Sequence, residues 1–84
     1  MNNEITLFSN GYYLGVDLKH NNVIAEETMK IFTYEKINKN EYIIYYKNKN
    51  NVLTKIGIEM IIQKEKSNSN EQIFKIIDCY NEIN

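Results

Sequence analysis

The sequence contains no arginine, no proline and no tryptophan, and only one cysteine, one histidine and three glycines among 84 residues. All ten basic residues are therefore lysines, which excludes the bidentate arginine contacts that recognise phosphate or guanine. The single cysteine, Cys79, excludes an intramolecular disulfide and a cysteine-rich zinc site. The missing arginine, together with fourteen asparagines, indicates an AT-rich coding genome, such as that of a low-GC bacterium or its phages.

Long apolar runs are absent as well. No run approaches the roughly 18 residues that a membrane span needs. The first ten residues, MNNEITLFSN, lack the basic stretch and apolar core of a secretory signal. We therefore expect a cytoplasmic protein, in a bacterium or an infected host cell, with no membrane partner. A chain of this length has room for one core, so residues 1–84 are expected to form a single domain.

The longest apolar-rich segment, residues 41–65, organises the fold prediction. It has an isoleucine and tyrosine run, a lysine and asparagine interruption, and a second apolar run, which is typical of two antiparallel strands and their turn. The pattern predicts strands over 41–47 and 52–64 with a turn at 48–51. Gly57 falls inside the second strand, where a missing Cβ marks a bulge or bend.

The preceding half of the chain also favours strands. Residues 4–9 are predicted to be a strand that ends at the Asn10-Gly11 turn, and residues 12–18 are predicted to form a hairpin with 22–26. Residues 29–36 fit both helical and strand spacing, and we favour a strand there.

The last third of the chain follows a helical pattern after a polar loop at 66–70. Apolar residues recur at i, i+3, i+4 and i+7: Ile73, Ile76, Ile77 and Tyr80. Ser69 and Gln72 have the spacing of a capping box, and Glu71 lies in the first turn, where the helix dipole favours a negative charge. The sequence therefore predicts a helix over residues 70–82.

The predicted fold class is mainly β or α+β, a small antiparallel sheet or barrel of five to six strands closed on one face by the C-terminal helix. The core is expected at apolar positions of these elements: Leu7, Leu14, Val16, Ile24, Phe32, Ile44, Leu53, Ile58, Ile62, Ile73, Ile77 and Tyr80.

The two halves of the chain also align with each other. EITLFSNGYYL (4–14) matches EYIIYYKNKNNVL (41–53), and NNVIAEE (21–27) matches EMIIQKE (59–65). Two local motifs stand within these units. Gln72-Ile73-Phe74 is preceded by Asn70, and Leu14-Gly15-Val16-Asp17 is followed by Asn21 and Asn22.

These motifs resemble the ricin-type β-trefoil repeat, of which the chain would hold two incomplete units. The resemblance implies an alternative fold that is all-β and trefoil-like. It also implies a carbohydrate-binding module in which Asp17 bonds to a glycan with Asn22 beside it. Because a trefoil needs three units, the resemblance further implies a homo-oligomer that completes the fold.

Residue types that carry catalysis or bind metals are sparse. His20 has Asp17, Glu26 and Glu27 nearby in sequence, but it lies in a polar turn and the sequence shows no partner nucleophile. Cys79 is placed near the end of the predicted helix, where a structural thiol is favoured. No metal-ligand spacing and no phosphate loop occur. We expect no enzyme activity, no catalytic residue, no metal and no cofactor.

Charge is polarised along the chain. Residues 36–55 contain five lysines and one glutamate, net +4, whereas the other 64 residues have a net charge of −5. Partner-binding residues are predicted in both regions. The basic, aromatic set is Tyr42, Tyr45, Tyr46, Lys47, Lys49 and Lys55, and the acidic set, able to mimic nucleic-acid phosphates, is Asp17, Glu26, Glu27 and Glu35.

The predicted function is that of a non-enzymatic interaction protein that binds and blocks a larger macromolecule, with a protein as the favoured partner. A phage or mobile-element inhibitor of a host defence protein fits the length and the coding bias. The glycan-binding module, with Asp17 and Asn22, is one alternative. A binder of single-stranded nucleic acid, with tyrosines that stack on bases beside lysines, is the other.

Overall fold

Nine β-strands and one short 3-10 helix form in residues 3–67 and 69–75, the part of the chain that this computed structural model describes. The strands are Glu4–Ile5 (β1), Phe8–Ser9 (β2), Tyr12–Asp17 (β3), Asn22–Glu26 (β4), Phe32–Asn38 (β5), Glu41–Tyr46 (β6), Asn48–Ile56 (β7), Glu59–Gln63 (β8) and Phe74–Lys75 (β9), and the 3-10 helix spans Asn70–Gln72. The mainly β prediction is confirmed, although the structure has more strands than the five to six expected.

The strands form one curled antiparallel sheet in the order β1-β5-β6-β7-β8-β4-β3-β2, and β9 pairs with β6. The predicted hairpin of 12–18 with 22–26 is confirmed as β3 and β4, paired from Tyr13↔Glu26 to Asp17↔Asn22. The strand predicted over 29–36 is confirmed as β5, which begins three residues later. The two ends of the sheet, β1 and β2, are only two residues long, and such short edge strands offer little template for pairing with another chain.

The inner face of the curled sheet holds the larger core. Five buried side chains form it: Phe32, Ile44, Tyr46, Leu53 and Ile62. Partly buried side chains from nearly every other strand pack against them: Ile5, Leu7, Val16, Val23, Tyr34, Met60 and Phe74. Because successive side chains of a strand point to opposite faces, the alternate residues of β6 remain to be covered on the outer face.

A second, smaller cluster covers that outer face. Ile43, Tyr45 and Val52 are buried there, with Ile37 and Ile73 packed against them. Ile73 belongs to residues 64–67 and 69–73, which we call the crossing segment because they lead from the end of β8 back to β9 beside β6. β6 is therefore buried on both faces, which accounts for its continuous apolar run.

The predicted core is partly confirmed. Phe32, Ile44, Leu53 and Ile62 are buried, and three further members pack against the clusters as partly buried side chains: Leu7, Val16 and Ile73. Leu14 is half-buried, whereas Ile24 is exposed. Ile58 was wrongly placed, because it is 99% exposed. Ile77 and Tyr80 lie outside the described residues.

The prediction of one bent strand over 52–64 is wrong, because Gly57 lies in a turn. The pair Ile56↔Glu59 closes a two-residue loop of Gly57 and Ile58 between β7 and β8. Gly57 has a φ of +62°, and Ile58 does not share the positive φ. A positive φ at the first loop residue only is the requirement of a type II′ hairpin turn, for which glycine is strongly favoured.

The predicted turn at 48–51 is also wrong, since these asparagines and lysine belong to β7. The chain reverses at Lys47, with a φ of +70°, and Asn48 already pairs with Tyr46. The next pair is Tyr45↔Val52, so the intervening residues form a bulge. Buried Asn51 fixes this bulge: its Nδ2 donates to the Tyr46 carbonyl at 2.9 Å, and its Oδ1 accepts from Lys64 Nζ at 2.8 Å.

The helix predicted over 70–82 is wrong in its described part, and residues 76–82 lie outside that part. One 3-10 turn is followed directly by β9, which pairs Phe74 with Tyr42 and Lys75 with Glu41. The capping box does not form, because Ser69 makes no side-chain cap and the Gln72 side chain turns inward. Isoleucine-rich spacing fits a helix face, but β-branched residues also favour strands, and pairing with β6 decides the outcome.

Gln72 is fully buried at the point where β7 leaves β6. Its Nε2 lies within donating distance of three acceptors: Thr54 Oγ1 at 3.3 Å, Gln63 Oε1 at 3.1 Å and the Glu65 carbonyl at 3.0 Å. Its Oε1 accepts from the Ser67 backbone N–H at 2.8 Å. One amide therefore joins β7, β8 and the crossing segment.

Replacing this amide is expected to be costly. Gln72→Ala should lower the free energy of unfolding by about 2–4 kcal/mol, because it leaves a cavity and unpaired buried polar groups. Urea unfolding measures the change. Gln63→Ala, at an exposed position that supplies only one of the acceptors, is the control and should cost about 1 kcal/mol or less. Equal losses for the two variants would show that the buried amide has no special weight.

The type II′ turn gives a second prediction. A Cβ at Gly57 would have nothing within 4 Å, so the cost of Gly57→Ala comes from its positive φ alone and should be about 1–2 kcal/mol. Ile58→Ala in the same loop, where the side chain is solvent-exposed, should change stability by less than about 0.5 kcal/mol. Thermal or urea unfolding of both variants distinguishes backbone strain from side-chain loss, and a Gly57→Ala variant as stable as the parent would rule out the strain.

Candidate functional site

The one histidine is used within its own turn. His20 Nδ1 lies 2.8 Å from Asp17 Oδ2, and the Lys19 backbone N–H donates to Asp17 Oδ1 at 3.0 Å. The His20 contact, as the largest cause, holds the pKa of the Asp17 carboxyl below its usual value. Asn22 pairs with Asp17 across the hairpin, so the two residues predicted to bind glycans are adjacent, but both carboxylate oxygens already have partners in the turn.

Metal sites and membrane-spanning helices are two further features that bear on function. Over residues 3–67 and 69–75, no three histidine, cysteine, aspartate or glutamate side chains lie together as a metal site would need. The same residues include no helix with the length and apolar character to cross a membrane.

The tyrosines predicted to bind a partner are buried or half-buried in the structure. Tyr45 and Tyr46 are 1% and 8% exposed and lie on opposite faces of β6, whereas Tyr42 is half-buried with its ring edge-on to Tyr34 at 5.4 Å. Lysine ammonium groups lie over the two buried rings, Lys47 Nζ 5.5 Å from the Tyr46 centroid and Lys49 Nζ 5.8 Å from the Tyr45 centroid. These rings therefore do not offer a free face on which a base could stack.

A groove runs across the sheet at the end where β6 turns into β7. It has a volume of about 570 Å³ and is lined by Asn3, Thr33, Tyr34, Glu35, Lys36, Tyr45, Lys47, Asn48 and Lys49. We call it the lysine groove. It joins Glu35, from the predicted acidic set, to Tyr45, Lys47 and Lys49 from the basic set. The sequence predicts all four as partner-binding residues, but in two sets of opposite charge.

Three further lysines differ in their position relative to the lysine groove. Lys36 lines the groove but was missed as a site residue, although the basic run that contains it was the available signal. Lys55 lies near the other end of β7, so the structure does not bring it to the groove. Lys66, which contacts the groove from the crossing segment, was missed because 31 residues separate it from Glu35.

A hydrogen bond between Tyr45 and Glu35 fixes the floor of the groove. The Tyr45 hydroxyl donates to Glu35 Oε1 at 2.7 Å, and Lys66 Nζ lies 3.4 Å from the same oxygen. Burial, and then this bond to a carboxylate, raise the pKa of the Tyr45 hydroxyl. The same bond, with help from Lys66, holds the pKa of the Glu35 carboxyl below its usual value. Glu35 is thus an ionised, hydrogen-bonded carboxylate at neutral pH.

The predicted acidic set does not form one surface. Asp17 and Glu26 lie at opposite ends of the β3–β4 hairpin, and the Glu26 side chain folds over Gly15, where a Cβ would come 2.5 Å from its Cγ. Glu27 is exposed just after β4. Glu35 is on β5, separated from β4 in the sheet by β6, β7 and β8.

Among the described residues, the most exposed large apolar side chain lies at the tip of the β7–β8 hairpin. Ile58 is 99% exposed and Ile56 is 46% exposed, one on each side of Gly57. We call these three residues the hairpin tip. Sequence reasoning assigned Ile58 to the core, but a glycine followed by one residue between two apolar runs was an available signal for a two-residue turn.

Comparison of the chain with protein-family models, with curated proteins and with solved structures gives no match. Its function is therefore inferred from the residues themselves.

The Tyr45–Glu35 bond predicts a loss of stability toward both ends of the pH scale. Above about pH 10 the unfolded chain releases the tyrosine proton before the folded chain does, so the free energy of unfolding falls as pH rises. Below about pH 4.5 the unfolded chain binds a proton at Glu35 first, so stability falls as pH falls. Tyr45→Phe should reduce both declines, as measured by urea unfolding across the pH range.

Tyr42→Phe is the matched control, because it removes a tyrosine hydroxyl from the same strand without touching the bond to Glu35. It should leave the pH dependence close to that of the parent. If Tyr45→Phe and Tyr42→Phe have the same pH profile, the Tyr45–Glu35 bond does not govern it.

Proposed function

We propose that this chain is a non-enzymatic interaction protein that binds a larger protein and blocks the surface it covers, with the hairpin tip as its anchor. The observation that carries the proposal is the position of Ile58, an isoleucine exposed to 99% at the end of a two-residue turn. The buried apolar side chains belong to one of the two clusters, whereas Ile58 contributes to neither.

The energetics of the tip favour a protein partner. Burying an isoleucine side chain gains roughly 1.5–3 kcal/mol, which is the size of a binding hot spot. The type II′ turn already holds the backbone of Gly57 and Ile58 in place, so little conformational entropy is lost on docking. Polar residues and glycine are usual in turns, so an isoleucine at position 58 departs from the usual turn composition. A departure that does not stabilise the fold is typical of a functional site.

The chemistry of the tip fits an apolar pocket. Ile56 and Ile58 have no ring to stack on a base or sugar and no polar group to bond to either, whereas a pocket lined by apolar side chains would bury both. Lys55 and Glu59 flank the tip on β7 and β8, and charged residues at such a rim improve specificity and association rate.

The blocking mechanism we propose is steric. The four predicted acidic residues lie at three separate places, with Asp17 and the adjacent Glu26 and Glu27 at opposite ends of the β3–β4 hairpin and Glu35 on β5, which does not support mimicry of a phosphate backbone by one continuous surface. The arginine-free, asparagine-rich composition supports an AT-rich coding genome such as that of a phage or mobile element, and the partner we propose is a cytoplasmic host defence protein.

Affinity capture from a low-GC bacterial lysate, followed by mass spectrometry, tests this function. Ile58→Asn keeps a residue suited to the turn and removes the anchor, so a specific partner should be captured at least about tenfold less efficiently. Ile31→Asn makes the same chemical change at another exposed isoleucine, outside the hairpin tip, and should leave capture unchanged. A set of captured proteins that is identical for the parent and Ile58→Asn would refute the proposal.

A further inference from the structure

We propose that the lysine groove is a binding site for an acidic polypeptide segment. The groove is a second surface, distinct from the hairpin tip, because Asn48 and Lys49 begin β7 whereas the tip follows the end of that strand. The inference does not rest on the function proposed above. It rests on the charges, the bonded floor and the packed aromatic rings of the groove.

The lysine groove has a net positive charge. Lys36, Lys47 and Lys49 line the groove, and Glu35 is the one carboxylate among the lining residues. The ion pairs found in residues 3–67 and 69–75 are His20–Asp17 and Lys66–Glu35, so no described carboxylate pairs with the three lining lysines. Three ammonium groups around one groove attract a ligand with several negative charges.

The Glu35 carboxylate would repel an anionic ligand if no positive group or hydrogen-bond donor contacted it. Its Oε1 accepts the Tyr45 hydroxyl at 2.7 Å and lies 3.4 Å from Lys66 Nζ. The bonds hold this carboxylate in the floor of the groove, where the positive charges of Lys66 and Lys49 also act on it and offset part of its charge. The lysines then dominate the field at the mouth of the groove.

The side chains of the groove favour a peptide over a nucleic acid as the ligand. Of the two tyrosines that line the groove, Tyr45 is buried beneath Lys49, and Tyr34 is half-buried with its ring edge-on to Tyr42 at 5.4 Å, so stacking on bases is poorly supported. The sequence also has no arginine for bidentate phosphate contacts. Asn3 and Thr33 supply neutral polar side chains that suit a peptide backbone. The volume of about 570 Å³ is within the range of sites that enclose small ligands or a few residues.

Fluorescence anisotropy with a labelled decaglutamate peptide, at low ionic strength, tests the site on the full chain. The double variant Lys47→Glu with Lys49→Glu should weaken binding at least about tenfold, because two attractions are lost and two repulsions gained. The control, Lys19→Glu with Lys39→Glu, changes the net charge by the same amount at exposed positions outside the groove and should weaken binding less than about threefold. Lys47→Gln with Lys49→Gln should give an intermediate loss and covers the case in which charge reversal disturbs folding.

Three outcomes would overturn the proposal. One is that decaglutamate does not bind. Another is that the groove and control variants weaken binding equally, which would mean attraction to net charge alone. The third is tighter binding of a labelled ten-nucleotide oligothymidylate that is lost in the groove variant, which would assign the groove to nucleic acid. Ile58→Asn should leave decaglutamate binding unchanged, so failure of the anchor and failure of the groove are distinguishable.

Discussion

The structure depends on one buried amide. β6 is flanked along one side by β5, and its other side is shared between β9 and β7, so β7 must leave β6 after a short contact. Such a divergence exposes backbone and side-chain polar groups that need partners once water is excluded. Gln72 supplies them from a single side chain, in contact with Thr54, Gln63, Glu65 and Ser67. The crossing segment is thereby held over the outer face, where Ile73 completes the second cluster.

Local signals were sufficient for part of this fold. The β3–β4 hairpin and the start of β6 follow from asparagine-rich turns between β-forming residues, and Asn10, Asn21 and Asn40 do adopt the positive φ that such turns require. The C-terminal segment was mispredicted because the deciding contacts are not local. Gln72 bonds to Thr54, 18 residues earlier, and no helical or capping pattern within 70–82 contains that information.

The candidate site was predictable in composition and not in arrangement. Tyr45, Lys47 and Lys49 stand in the one basic stretch of the chain, so the sequence indicates them as candidates, whereas the groove and the burial of Tyr45 do not follow from it. That Glu35 would bond to Tyr45 depends on the register of β5 against β6, in which Thr33 faces Tyr45 and the carboxylate two residues on reaches its hydroxyl. The burial of Tyr45 depends on Ile73 of the crossing segment, whereas Tyr46 packs against Phe32 in the larger core, so both faces of β6 are covered, which strand alternation alone does not reveal.

β7 has a consequence that reaches beyond either surface. Its nine residues place the lysine groove and the hairpin tip at opposite ends of one strand, at most roughly 25 Å apart, and the pairing of residues 52–56 with β8 holds the tip end of the strand in place. A partner with an apolar pocket and an acidic segment at the matching distance would be gripped at two points. Once one point is engaged, the other forms at a high effective concentration, so two weak contacts multiply into a strong one. If both proposed sites bind the same partner, the length of β7 would select partners by the distance between their two sites as well as by their chemistry.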